Sequence, residues 1–159
     1  MAISSRRTRA SAWRSPISGS LAQSLPSLLE SITGSEYSDS LTGSCEPNTL
    51  SGRGGDDTLN GDRAGSLVGG GDFMGGGAGN DEMIGLLGTD QVTYTANTAG
   101  QPIDVTLNGL ADDDDGQGGT DDIADDIEYV YGGAGDDTID ASAATQRVSL
   151  WGRAGDDTL

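Results

Sequence analysis

Histidine and lysine are both missing from this chain of 159 residues, and cysteine occurs once, as Cys45. Without an imidazole there is no histidine-based triad, no H-E-x-x-H zinc site and no imidazole acid–base chemistry within the chain. One thiol permits neither an intrachain disulfide nor a multi-cysteine zinc site. Cys45 itself reads as a small buried residue standing in for a loop glycine. Large side chains are scarce as well. One phenylalanine, two tryptophans and 33% hydrophobic residues leave little for a conventional core. No segment is apolar for long enough to span a membrane. Basic residues number 8 against 26 acidic ones, a formal charge of −18. Such a chain repels nucleic-acid phosphates, and it either stays unfolded or folds by taking up cations.

What the chain has instead is glycine and aspartate in a fixed phase. The clearest stretch is Gly76-Gly77-Ala78-Gly79-Asn80-Asp81-Glu82-Met83-Ile84, and it returns as Gly132-Gly133-Ala134-Gly135-Asp136-Asp137-Thr138-Ile139-Asp140. Looser copies run from Gly52 to Leu59 and from Gly152 to Leu159. Counting in nines, units begin at Gly34, Gly43, Gly52 and Gly61, with Leu41, Leu50, Leu59 and Val68 at the eighth position. Their sixth positions hold Asp39, Asn48, Asp57 and Ser66, with Asn48 and Ser66 as the weak partners on one face. A shortened unit from Gly70 to Gly75 keeps Asp72 and Met74, and full units resume at Gly76 and Gly85 with Asp81 and Asp90. A low-complexity linker would hold no such phase.

Each position has a physical task. Glycines take positive φ and let the backbone turn sharply, which draws carbonyl oxygens together. Calcium takes six to eight oxygen ligands, carboxylates and backbone carbonyls among them, and a glycine loop closed by aspartate offers both. The eighth-position apolar residue sits in a strand too short to stand alone and must bury against the next coil. Loops eighteen apart then stack, pairing Asp39 with Asp57 and Asp72 with Asp90. A phosphate loop is excluded by the missing lysine and the clustered aspartates. A glycosidase pair is excluded because the acids recur on turns instead of meeting once in a cleft.

This nonapeptide, G-G-x-G-x-D-x-U-x, is that of the RTX proteins, and the chain resembles their calcium-binding parallel β-rolls. The resemblance implies an all-β fold: a calcium-dependent parallel β-roll or β-solenoid of short strands, with a less regular N-terminal tail. Calcium is the implied cofactor, held by Asp39, Gly52, Gly54, Gly55, Asp57, Asp72, Gly77, Gly79, Asp81, Asp90, Gly133, Gly135, Asp137, Gly155 and Asp157. No residue is assigned to catalysis. The implied role is a repeat module of a secreted protein that folds on extracellular calcium, as spacer, adhesin segment or folding switch. The alternative is the C-terminal repeat region of a secreted protease, lipase or other hydrolase whose catalytic domain lies outside this chain. Type I secretion machinery and neighbouring repeats of a longer chain are the implied partners.

Four segments follow along the chain. Residues 1–31 are an Arg- and Ser-rich tail without the apolar stretch of a signal peptide, either disordered or a short capping helix. Leu21, Leu25, Leu28, Leu29 and Ile32 have helical spacing, interrupted by Pro26. Residues 32–93 carry the repeats. Residues 94–131 form a longer irregular coil: strands around Val92–Tyr94 and Ile103–Leu107, an acidic loop from Asp112 to Asp122, then a helical turn at Ile123–Ile127 before Val130. An EF-hand reading of that loop puts Ala111 at the first ligand position and Asp122 at the twelfth, so a solvated acidic loop is preferred, with an accessory calcium contact as the alternative. Residues 132–159 resume the repeats, with two extra residues between Asp137 and Asp157 that should bulge outward, and look truncated at Leu159 for want of a polar capping unit.

Overall fold

The computed structural model describes residues 22–24 and 31–159. Among these every regular element is a strand, fourteen in all, most of them three residues long. In β2 (Ser31–Thr33), β3 (Ser40–Thr42), β5 (Thr58–Asn60), β7 (Glu82–Ile84) and β8 (Gln91–Thr93) the middle residue is buried and its neighbours are more exposed. That pattern follows from the two-residue period of a strand, which points one apolar side chain inward and its flanking polar residues outward. A three-residue strand gains little alone; stacking gives it a partner on each side.

Two sheets result. The eight-stranded sheet runs β1 (Ala22–Ser24), β3, β5, β7, β11 (Thr120–Ile123), β10 (Ala111–Asp114), β9 (Asp104–Thr106), β13 (Thr138–Asp140). The six-stranded sheet runs β14 (Ser149–Trp151), β12 (Tyr129–Tyr131), β8, β6 (Phe73–Ala78), β4 (Thr49–Gly54), β2. Pairing is parallel except around β10, which is antiparallel to β9 and β11. Apart from β9, β10 and β11, which all lie in the eight-stranded sheet, successive strands alternate between the sheets, so the chain winds as a flattened roll.

The core is a set of columns. Leu41, Leu59, Met83 and Ile123 stand in register on one sheet; Ile32, Leu50, Met74, Val92, Val130 and Leu150 stand in register on the other. All but Leu150 are fully or almost fully buried. Ile103, Val105, Leu107, Ile127, Ile139 and Tyr94 complete the core. The outer face of the six-stranded sheet carries Trp151 stacked on Tyr131 and Tyr129, at centroid distances of 4.6 and 5.5 Å.

Several expectations are corrected. Val68 is not a strand centre but 66% exposed, beside Leu67 at 94%. Gly61 and Asp72 act as positions one and six of one unit, eleven apart where Gly52 and Asp57 are five, so the intervening loop carries a six-residue insertion. Ser66 therefore has no place in the stack, and its position is taken by Asp72. Solenoid loops accept such insertions because lengthening a loop adds little closure entropy. The acidic segment is a β-hairpin, not a solvated loop, and buries Asp113, Asp115 and Asp121. The helical turn at Ile123–Ile127 is instead the end of β11 followed by a turn. Cys45 is exposed on a turn apex, 2.8 Å from the Ser66 hydroxyl, and Glu36 and Leu87 are exposed at the same loop position. The capping helix fails at Ala22–Ser24, where pairing with β3 makes a strand; the rest of that reading lies outside the described residues.

Candidate metal centre

The six-residue loops stack on both edges of the roll, and their sixth-position side chains form two ladders. On one edge Asp57 Oδ1 accepts from the Asp39 N–H at 2.7 Å, Asp81 Oδ1 from the Asp57 N–H at 2.8 Å, and Asp121 Oδ1 from the Asp81 N–H at 3.0 Å. Further along, Asp137 Oδ1 accepts from Ile103 N–H and Asp157 Oδ1 from Asp137 N–H, at 3.1 and 3.0 Å. On the other edge Asp72 accepts from Asn48 N–H, Asp90 from Asp72 N–H and Glu128 from Asp90 N–H, at 2.8, 2.8 and 2.7 Å. The exposed fifth positions stitch the loops the opposite way. Asp56 N–H donates to Ser38 Oγ, Asn80 N–H to Asp56 Oδ1, and Thr120 N–H to Asn80 Oδ1.

One oxygen of each ladder carboxylate is thus committed to backbone. In Asp39, Asp57, Asp72, Asp81, Asp90, Asp137 and Asp157 the other turns toward the first-position glycine of its own loop. Oδ2 of Asp57, Asp72, Asp81 and Asp90 is buried without a hydrogen-bond partner. A Cβ at Gly52 would collide with Asp57 Oδ2 and lie 2.5 Å from the Gly76 carbonyl oxygen; Gly61 stands likewise between Asp72 Oδ2 and the Gly85 carbonyl, and Gly132 between Asp137 Oδ2 and the Gly152 carbonyl. Only glycine leaves that space open. Gly79 and Gly155 meet a second demand, with φ of 133° and 132° and backbone contact with Gly55 and Gly135 in the loop below.

Buried carboxylates in such an arrangement resist ionisation. Burial, chiefly, and then neighbouring acids push Asp57 and Asp90 up to about 7 and Asp72 and Asp81 up to about 6. Each needs a proton or a cation. Among the described residues no three carboxylates or thiols gather at one point, so each position supplies one or two carboxylates and backbone carbonyls. That donor set is all hard oxygen with net negative charge, which fits calcium; zinc prefers nitrogen and sulfur. Bound calcium supplies the positive charge that keeps the facing carboxylates ionised inside the roll.

Of the glycines named from sequence, Gly55 and Gly77 take φ of 98° and 109° and pack on the backbone of the loop below. Gly54 closes β4 beside Glu36, whereas Gly133 and Gly135 lie against Asn97 and Pro102 instead of another nonapeptide loop. The ends of the first ladder are satisfied within the protein: Asp39 Oδ2 accepts from Ser35 N–H at 2.5 Å, and Asp121 Oδ2 from the Tyr94 hydroxyl at 2.8 Å. Sequence counting missed Asp121, Glu128, Asp62, Asp113 and Asp115. Asp62 and Asp115, each fully buried with one unpartnered oxygen, lie in or beside the period-breaking segments. Asp121 had a readable signal: Gly116-Gln117-Gly118-Gly119-Thr120-Asp121-Asp122-Ile123-Ala124 places glycine, aspartate and isoleucine at positions one, six and eight.

Stacked loops with paired oxygens on both edges define a metal-binding parallel β-roll. The RTX calcium-binding nonapeptide repeat matches in four copies over residues 33–64, 68–94 and 122–145, just over half of the chain. The chain belongs to that family, whose repeats bind calcium, and is a calcium-binding repeat module. Comparison with curated proteins and with solved structures gives no match. Among the described residues no helix is long and apolar enough to cross a membrane.

Proposed function

We propose that this module is a calcium-operated folding switch within a secreted protein, structural and not catalytic. Asp39, Asp57, Asp81, Asp137 and Asp157 on one edge, and Asp72 and Asp90 on the other, are assigned as carboxylate donors, with loop glycine carbonyls completing the shell. The observation that carries the reading is the row of buried, unpartnered Oδ2 atoms, each opposite a first-position glycine. Without cations those charges oppose the fold; with cations the same charges hold successive coils together, so binding free energy becomes folding free energy. The family is typical of secreted proteins, and type I export fits a chain that stays unfolded until it meets extracellular calcium.

Calcium titration followed by far-UV circular dichroism tests this. The chelated chain should be largely unfolded at neutral pH and gain its β spectrum at about 10⁻⁴ to 10⁻³ M calcium, the range of extracellular modules. Magnesium should substitute poorly, since it wants a tight octahedral shell and keeps its waters. Identical β spectra in chelator and in calcium would reject the switch.

A further inference from the structure

Residues 115–121 lie outside the family match, yet they occupy the place of the next loop above Gly76–Asp81. Thr120 N–H donates to Asn80 Oδ1 and Asp81 N–H to Asp121 Oδ1, both across forty residues. Gly119 lies directly against the Gly79 carbonyl, and Gln117 Nε2 reaches the Gly77 carbonyl at 3.3 Å. The hairpin's returning arm is therefore in register with a nonapeptide loop. Its outgoing arm brings something the repeat lacks, a second acid just before the first position. Asp115 is fully buried; its Oδ1 accepts from Gln117 N–H at 2.6 Å and Gly119 N–H at 2.9 Å, and its Oδ2 has no partner.

Both oxygens of Asp121 are used, by the Asp81 amide and the Tyr94 hydroxyl. Asp81 Oδ2, in the loop below, and Asp115 Oδ2, in the hairpin, are both unpartnered, as is Asp113 Oδ2 on the hairpin strand opposite Asp121. Asp115 Oδ1 holds the Gly119 amide, and Gly119 lies against the Gly79 carbonyl two residues before Asp81, so the two carboxylates sit on adjacent loops, where the charge of Asp115 opposes that of Asp81. Tyr94 closes the ladder immediately beyond them.

We propose that hairpin β10–β11 completes a calcium site that the repeats alone do not make, with carboxylate oxygens from Asp81 and Asp115. This deepens, and rests on, the calcium-binding reading above. The hairpin thereby acts as a built-in lid on the ion row: Asp115 supplies the charge that a further nonapeptide would otherwise bring, and Tyr94 ends the series.

Calorimetric counting of calcium ions on the full chain tests it, comparing wild type with Asp115→Asn and Asp114→Asn. Asparagine keeps the Oδ1 acceptor of the two turn bonds and removes only the charge. Asp114 is exposed and accepts from Gly116 N–H at 2.9 Å, so its substitution is the charge-matched control. Asp115→Asn should bind one ion fewer than wild type, and Asp114→Asn the same number. Equal ion counts and affinities in Asp115→Asn and wild type would overturn the proposal. If Asp115→Asn does not regain the β spectrum, Asp115→Ser, whose hydroxyl also accepts from the turn amides, is read by the same two criteria. Loss of the fold in both variants, with Asp114→Asn folded, also overturns it, because it makes Asp115 a determinant of the roll instead of one ion. A wild-type chain that takes up no calcium defeats the parent reading and is thereby distinguished from failure of this one.

Discussion

The two oxygens of Asp57 do different things, and a substitution can separate them. Oδ1 accepts from the Asp39 amide one coil earlier, while Oδ2 is buried without a partner beside Gly52. Asp57→Asn preserves the first and discharges the second; Asp57→Ala removes both. Asp57→Asn should therefore weaken calcium binding by at least about tenfold, the loss that follows even from removing a ligand's hydrogen-bond partner. The same change should make the metal-free roll at neutral pH more stable, since a charge buried without compensation has gone. Asp57→Ala should lose affinity and gain nothing, because the Asp39 amide is left buried and unpaired. Calorimetry and chelated thermal melts on both variants give the comparison; an Asp57→Asn chain that is less stable without calcium than wild type contradicts the assignment. Backbone strain gathers at the second position of the same loops, where Arg53, Leu86 and Arg153 take φ of 86°, 69° and 80°, while Gly77 takes 109° freely.

At the scale of the strand, each element contributes one inward side chain to a column, so its worth lies in its register. Leu59 is fully buried between Leu41 and Met83. Truncating it to alanine should cost about 2–5 kcal/mol and move the calcium midpoint for folding upward. Val68→Ala, at a residue 66% exposed on the inserted loop, should change stability by no more than about 0.5 kcal/mol. Chemical denaturation in saturating calcium measures both, and equal effects would restore Val68 to the core. The same pair of residues shows what sequence could and could not reveal. Leu41, Leu50, Leu59, Met83 and Val92 were legible because an apolar residue two places after an aspartate, or after Asn48 in its place, has one face to bury and one period on which to recur. Val68 fell on that period by coincidence of counting. Nothing local marks an insertion, because the register is fixed by Asp72 meeting the Asn48 amide across 24 residues. The hairpin was hidden for a related reason. Its acids read as solvated until β9 and β11 enclose them, and only tertiary pairing tells a buried Asp115 from an exposed Asp114. Apart from Asp72, the candidate ligands legible from sequence were those on full repeats, and those missed were Asp121, Glu128, Asp62, Asp113 and Asp115, in or beside the segments where the period is broken.

Across the whole molecule, the ladders make proton and calcium competitors for the same sites. In the folded, metal-free roll burial raises Asp72 and Asp81 to about 6, Asp57, Asp90 and Asp113 to about 7 and Asp121 to about 8. In the unfolded chain such groups titrate near 3.9. The folded state therefore holds protons that the unfolded state has released, and stability falls as pH rises wherever that holds. The contribution is fully present below about pH 4 and is lost as pH climbs through about 6 to 8. With chelator present, the β-sheet signal should be stronger at pH 5 than at pH 7.5, where most of these carboxylates have lost their protons. With saturating calcium the order should reverse, because the ion requires deprotonated oxygens and binds more tightly as they become available. Thermal melts by circular dichroism at the two pH values, each with chelator and with calcium, provide four numbers and one crossing. A metal-free chain better ordered at pH 7.5 than at pH 5 would mean that the ladder carboxylates are ionised and satisfied without a cation. The unpartnered oxygens of Asp57, Asp72, Asp81 and Asp90 would then not be the calcium ligands.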